Sequence, residues 1–337
     1  MPPIVSIRHL RKEYRETVAV CDLSLDLEAG DIFGFIGPNG AGKTTTIKIL
    51  ATLLSPSAGA ATVNGIDVVE NPEGVRAVVG YMPDFFGVYD DVKVWEYLDF
   101  FAAAYRIPRP RRPHVIDDVL ALTDLTGKKD SYVESLSRGM KQRLCLAKTL
   151  VHDPRLLLLD EPASGLDPRA RIEFKELMKE LQAMGKTILV SSHILPELAD
   201  FCNKVGIIER GELKESGHVG EVIRRATGRR MLEIRVVVDG APGGVPDGAE
   251  TGPAAGTDAA SASPMAQRAA DVLASRSDID EVKTSDGVLL AAFTGEPDEE
   301  WLVLNALVGA GVRVVHFGAQ AADLEDVFMH VTKGLVA

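Results

Sequence analysis

The chain has 337 residues, enough for two domains and a sizeable core. It carries 37 Lys and Arg against 49 Asp and Glu, a net charge of −12, which argues against a large nucleic-acid footprint and so against a nucleic-acid partner. Cys21, Cys145 and Cys202 lie far apart and form no CxxC, which excludes a disulfide framework or a cysteine zinc site and predicts apolar thiols in a reducing compartment. The opening "MPPIVSIRHLRKEYRE" has no apolar core of a secretory signal. The nearest approach to a membrane span, Leu302 to Ala319, is broken by Asn305, Gly309, Gly311, Arg313 and His316 and reads as helix, glycine turn and strand. The expectation is a soluble protein whose membrane role, if any, comes through a partner.

Strand-like segments come first, at Ile4–Leu10, Val18–Leu27 and Asp31–Ile36, followed by a glycine-rich turn and an amphipathic helix over about Lys43–Leu53. From Asp84 to Asp153 the pattern is mostly helical and rich in aromatics. Strands return at Leu156–Leu159, Thr187–Ser191 and Val205–Ile208, with a helix over Pro168–Met184 between the first two. This alternation predicts an α/β fold, a mainly parallel sheet flanked by helices, with the all-helical stretch as an inserted subdomain at about 84–153. The first domain is expected over residues 1–225.

The rest, 231–337, reads as a small α/β module: strand (Met231–Val238), helix (Met265–Ser275), strands (Asp280–Thr284 and Gly287–Thr294), helix (Asp298–Gly309) and strand (Val312–Phe317). That βαββαβ order matches a ferredoxin-like module. A last helix is expected over Ala322–Lys333. "DGAPGGVPDGAETGPAAGTDAASASP", at about 239–264, has no aromatic residue and is predicted to be a disordered insertion within the module.

"GPNGAGKT", Gly37 to Thr44, fits G-x-x-x-x-G-K-[ST], with a buried strand leading in and a helix leading out. Gly37, Gly40 and Gly42 let backbone N–H groups wrap phosphates, with Pro38, Asn39, Ala41 and Thr45 completing the loop. Lys43 is expected to reach the β- and γ-phosphates, and Thr44 to ligate Mg²⁺ at a helix N-terminus that favours anions. The predicted ligands are therefore ATP and Mg²⁺.

"RLLLLDEP" gives a fully buried strand ending in two carboxylates that are costly to bury unpaired. Asp160 is expected to partner Mg²⁺ through a bound water, and Glu161 to polarise the water that attacks the γ-phosphate. A second anion cradle is suggested by "YVESLSRGMKQRLCLAKTL": Ser135 and Ser137 suit helix capping, and Gly139 in the first turn lets N–H groups approach an anion.

Taken in order, these motifs resemble those of ABC-transporter ATPases, over roughly Ile4 to Glu221. "SLSRGMKQR" resembles the family signature, usually LSGGQ. "SGLDP", Ser164 to Pro168, resembles the loop after the acidic pair, which implies Asp167 at a dimer seam. "VSSHIL" supplies His193, which resembles the switch histidine that contacts the γ-phosphate. Tyr14 in "RKEYRE" stands where the family has an aromatic that stacks on adenine. The resemblance implies a head-to-tail homodimer in which Ser137, Arg138, Gly139 and Met140 face the nucleotide of the other copy. It also implies a separate integral-membrane permease, and a cytoplasmic chain peripheral on the inner face of the cell membrane.

Two departures stand out. After "Y-x-P" the family usually has Gln, a magnesium ligand, where this chain has Asp84. Its carboxylate is one methylene shorter and, ionised, donates no hydrogen bond to water. Arg138 replaces the first glycine of the signature and Met140 its glutamine; this form resembles ATPases of ABC-2-type exporters, as does "LEDVFMHVT" (Leu324–Thr332). Phe85, Phe86, Tyr89, Trp95, Tyr97, Phe100, Phe101 and Tyr105 read either as the core of the helical subdomain or as a surface for the permease. A soluble ABC ATPase acting in translation or regulation is the alternative; a single cassette, the absence of long heptads and the acidic charge disfavour it.

Overall fold

The computed structural model describes residues 2–84, 87, 91–193, 198, 201–222, 230–237, 264–285 and 287–319. Two compact units divide them, the first ending at Val222. The predicted insertion, apart from Pro264, lies outside these residues, as do the predicted helix Ala322–Lys333 and Phe85, Phe86 and Tyr89.

The first unit is built on ten strands: β1 (Val5–Tyr14), β2 (Thr17–Leu27), β3 (Ile32–Ile36), β4 (Ala58–Val63), β5 (Ile66–Asp67), β6 (Val79–Met82), β7 (Leu156–Asp160), β8 (Thr187–Ser192), β9 (Lys204–Glu209) and β10 (Glu212–His218). Their order across the sheet is β5-β4-β1-β2-β10-β9-β3-β8-β7-β6. The run β9-β3-β8-β7-β6 is parallel, whereas β5, β4, β1 and β2 pair antiparallel. A mainly parallel sheet thus describes the half that carries the phosphate loop, and the other half is an antiparallel wing. β4, β6 and β10 escape sequence reading for physical reasons. β4 ("AGAATV") is alanine and glycine, β6 has four residues, and β10 ("ELKESGH") shows almost no apolar alternation.

The central strands are buried on both faces. Every residue of β3, β7 and β8 is buried, as expected for apolar runs in a parallel sheet covered by helices. Register then fixes the site. Ile36 lies beside Ser192 and Asp160 beside Ser191, so the carboxyl ends of β3, β8 and β7 meet along one edge. Ligands of open α/β sheets bind at such an edge. Helix α1 (Lys43–Leu50) leaves it, three residues shorter than expected because Ala51 caps it and Thr52 turns with φ 60°.

Three further helices occupy the stretch between β6 and β7: α3 (Val94–Ala104), α4 (Arg112–Leu122) and α5 (Arg138–Leu150); α2 (Pro72–Val78) precedes β6 and α6 (Pro168–Ala183) follows β7. Tyr97 of α3 is 2% exposed and belongs to the core, whereas Trp95, Phe100 and Tyr105 are exposed. Among the described members, Tyr97 fits the core reading, while the exposure of the other three leaves both readings open. Cys145 and Cys202 are buried and Cys21 is intermediate, all as free thiols.

The second unit runs strand β11 (Arg230–Val236), helix α7 (Pro264–Ala274), strands β12 (Ile279–Ser285) and β13 (Val288–Phe293), helix α8 (Glu300–Gly309) and strand β14 (Val314–Ala319). Its sheet is antiparallel in the order β12-β13-β11-β14. Leu232, Ile234 and Val236 alternate along β11 into a core shared with Ala269 and Leu273 of α7 and Val303 and Leu307 of α8. Among the described residues no helix is long and apolar enough to cross a membrane.

Leu158 of β7 is fully buried between two parallel neighbours. Leu158→Ala should lower unfolding free energy by about 2–5 kcal/mol, seen as a lower urea midpoint.

Candidate nucleotide site

The loop from Gly37 to Gly42 joins β3 to α1, and its glycines are dictated by close approach or by a left-handed backbone. A Cβ on Gly37 would sit 2.3 Å from the Ile208 carbonyl oxygen, and one on Gly42 2.6 Å from that of Ala19. Gly40 and Gly42 have φ of 80° and 107°, the left-handed region. A further tie holds the loop: the Gly211 N–H donates to the Ala41 carbonyl at 2.9 Å.

Lys43 is buried, and its ammonium donates to the carbonyls of Gly37 (2.6 Å) and Pro38 (3.2 Å). Its third neighbour is Glu161 Oε1 at 3.4 Å. The Thr44 hydroxyl donates to Asp160 Oδ1 at 3.1 Å, and that of Ser191 to the same oxygen at 2.8 Å. Burial pushes the Asp160 carboxyl up; the two hydroxyls oppose that shift, and the charges of Glu161 and Asp84 add to it. Asp84 thus lies near enough to act on Asp160 electrostatically.

Glu161 follows with φ 50°, a left-handed conformation that is uncommon and strained for a residue with a side chain. Its N–H is held by Ser191 Oγ at 3.0 Å. Its carboxylate is therefore turned back between Lys43 and His193, whose Nδ1 is 2.8 Å from Oε2. Ser191, which serves both carboxylate residues, is the partner that sequence reading missed. The signal was the pair of small hydroxyl residues preceding His193 in an otherwise apolar strand.

Among the described residues no group of three or more His, Cys, Asp or Glu could hold a metal ion unaided. The donors at the loop are a hydroxyl and a carboxylate, Thr44 and Asp160, beside two more carboxylates. That set suits a hard cation such as Mg²⁺, which completes its shell with water and phosphate oxygen.

The other predicted residues fall into two groups. Tyr14 ends β1 in the hairpin whose second strand packs Ala19 and Val20 against Gly42. Its ring is 44% exposed, with the Lys12 ammonium 5.3 Å from the centroid. Ser137 caps α5, accepting from the Met140 N–H at 3.3 Å, and Asp167 caps α6, accepting from the Ala170 N–H at 2.9 Å. A Cβ on Gly139 would meet nothing nearer than Leu166 Cδ2 at 3.8 Å, so no contact within the chain demands glycine there. Arg138 reaches back along its own chain. Its Nη2 donates to the Ser164 carbonyl at 3.5 Å, and a Cβ on Gly165 would lie 2.6 Å from it.

The family model described as "ABC transporter" matches residues 20–164. The Nod factor export ATP-binding protein I of Cupriavidus pinatubonensis is 33% identical over 330 residues, 98% of this chain and 90% of that protein. The chain belongs to the ABC-transporter ATPase family. The protein of the same name from Cupriavidus metallidurans is 33% identical over 98% of each chain. Among solved structures, an ATP-binding subunit of an ABC transporter superposes with a TM-score of 0.61 at 31% identity, over 67% of this chain and 93% of that one. CbiO1 from Clostridium perfringens, part of the ABC transporter complex cbiONQ, gives 0.59 at 26% identity, over 67% of this chain and 95% of that one. The chain is thus an ATP-binding, ATP-hydrolysing subunit, and its α/β core is the ABC ATPase core.

The buried carboxyl of Asp160 gives a signed expectation. Its raised pKa means that ionising it disfavours the folded state at neutral pH, a penalty relieved as pH falls through the folded pKa. Asp160→Asn should therefore raise the melting temperature without nucleotide, read by thermal denaturation at neutral pH.

Proposed function

We propose that the chain powers an exporter as a head-to-tail homodimer, with two ATP molecules held between the copies and a separate membrane permease as the working partner. The observation that carries this reading is the second anion cradle. Ser137 accepts from Met140, but its hydroxyl proton has no acceptor among the described residues, and the space beside Gly139 is open. A helix N-terminus with a free O–H donor and a bare glycine suits a phosphate that comes from outside this chain. The loop Gly37–Thr45 of a second copy supplies one.

The division of labour follows from the contacts. Gly37, Pro38, Asn39, Gly40, Ala41, Gly42, Lys43, Thr44 and Thr45 cradle the phosphates, and Tyr14 stacks on the adenine. Thr44 and Asp160, with Asp84 alongside, would hold magnesium, which would neutralise phosphate charge when bound. Glu161 takes a proton from the attacking water, and His193 orients Glu161 and faces the γ-phosphate. Ser137, Arg138, Gly139 and Met140 close the site from the partner, with Asp167 at the seam. Arg138 does so indirectly, since its guanidinium lies on Gly165 of its own chain and joins the cradle to the loop leading to Asp167.

Export is supported by the relatives named for it, which align along nearly the whole chain. Exposed Leu53, Phe100 and Tyr105 offer apolar surface, the first and last lining a cavity of about 190 Å³ bounded also by Tyr81 and Phe101. A helix of the permease is its proposed occupant, which would hold the chain on the inner face of the membrane. The domains are assigned as an ATPase domain at 1–225, containing a helical subdomain at about 84–153, and a C-terminal module at 231–337. The antiparallel order of the second sheet supports the ferredoxin-like assignment of that module.

Glu161→Gln should lower ATP turnover by about 10²–10⁴-fold and trap an ATP-bound dimer on size exclusion; a variant that stays monomeric with ATP counts against the sandwich. Ser137→Arg should leave ATP binding nearly intact while abolishing hydrolysis; loss of both together would place the cradle in the same copy's site. Asp84→Gln should retain activity, and a loss equal to that of Glu161→Gln would show that the carboxylate itself is needed.

A further inference from the structure

Glu161 leaves the sheet in a conformation that needs support from outside its own strand. β7 ends at Asp160, and the next residue turns with φ 50°, in the left-handed region that side chains rarely occupy. Its N–H thereby departs from the ladder of parallel strands. Among the described residues that N–H has one acceptor, the hydroxyl oxygen of Ser191 at 3.0 Å. Ser191 lies on β8, is fully buried, and stands in register with Asp160.

A serine hydroxyl has one proton to give and two lone pairs with which to receive. An ionised Asp160 only accepts, so the proton goes to its Oδ1 at 2.8 Å and the lone pairs turn towards the Glu161 N–H. The bonds run one way, from the Glu161 N–H through Ser191 to the Asp160 carboxylate. Hydrogen bonds in such a chain polarise and strengthen one another. The far end is anchored as well, because Thr44 donates to the same oxygen at 3.1 Å.

The consequence for the side chain is geometric. The direction of a Cβ follows the backbone, so the left-handed turn sends the Glu161 carboxylate back to lie 3.4 Å from Lys43 Nζ and 2.8 Å from His193 Nδ1. Those two contacts hold the carboxylate, whereas Ser191 holds the peptide group that aims it. We propose that Ser191 is a positioning residue for ATP hydrolysis, whose hydroxyl locks Glu161 in its left-handed turn and leaves nucleotide binding to the phosphate loop. The inference rests on the reading of Glu161 as the base. Ser191 transfers no proton in it and acts only through Glu161.

The test compares Ser191→Ala, Ser191→Cys and Ser191→Thr in the full chain. Threonine keeps the hydroxyl, and cysteine keeps the size while weakening both hydrogen bonds. Three readouts are taken: steady-state ATP hydrolysis, equilibrium binding of fluorescent methylanthraniloyl-ATP, and amide hydrogen exchange of the segment Asp160 to Gly165 without nucleotide. Ser191→Ala should lower kcat about 10–100-fold, with KM and methylanthraniloyl-ATP affinity changed by less than about threefold, and should speed exchange of the segment. Ser191→Thr should return kcat to within about threefold of the parent, with Ser191→Cys between the two. On a Glu161→Gln background, Ser191→Ala should lower turnover by less than about twofold more, because nothing remains to be positioned. Should Ser191→Ala fail to fold, Ser191→Cys carries the same comparison. An unchanged kcat, an equal loss of kcat and nucleotide affinity, no rescue by threonine, or a full further loss on the Glu161→Gln background would each overturn the proposal. Full turnover in Glu161→Gln would sink the base assignment and this proposal with it, whereas full turnover in Ser191→Ala alone sinks only the proposal.

Discussion

The site depends on one costly arrangement, a carboxylate set at the buried end of an all-leucine strand. Asp160 has two hydroxyl donors, Thr44 and Ser191, and no cation of its own among the described contacts. Glu161 and Asp84 add negative charge beside it. Such a group is unfavourable in the chain alone and would become favourable beside the divalent cation and phosphate of the proposed site. The parallel register itself sets Asp160 beside Ser191 in the sheet. The phosphate loop supplies Thr44 from the neighbouring strand's exit. Three strands thus place three functional groups within hydrogen-bond reach.

The same economy governs the helix starts. Ser137 and Asp167 each satisfy an N–H of their own helix, so both are structural caps within one chain. Under the proposed sandwich they acquire a second role at the seam. Arg138 links them physically, from the first turn of α5 to the turn before α6. It replaces a glycine of the usual signature, and its contact with Gly165 gives that replacement a local reason. A side chain on Gly165 would meet the guanidinium, and its φ of 72° independently favours glycine.

Much of the site was legible because its chemistry demands rare local patterns. Three glycines in a six-residue turn, a lysine after them and two acids after four leucines have few other uses, and the central strands announced themselves as unbroken apolar runs. What was hidden is what depends on partners distant in sequence. Ser191 looks like an ordinary strand serine until register places it beside Asp160. β10 is too polar to read as a strand, yet it pairs with β9 along most of its length. β4 lacks large side chains, and its place is set by pairing with β1. The antiparallel wing followed from such pairings and not from periodicity.

Lys43 has a full complement of neighbours inside its own chain: two loop carbonyls and the Glu161 carboxylate. A nucleotide does not find a naked cation there. Under the roles proposed above it would enter by exchange, replacing internal partners with phosphate oxygens, so that the free energy of binding would be the difference between two well-satisfied arrangements. Such an exchange would leave no stranded charge behind when the phosphate departs. It would also free Glu161 from the ammonium for its proposed role as the base. Under those proposed roles, loading the site and arming it would be the same event.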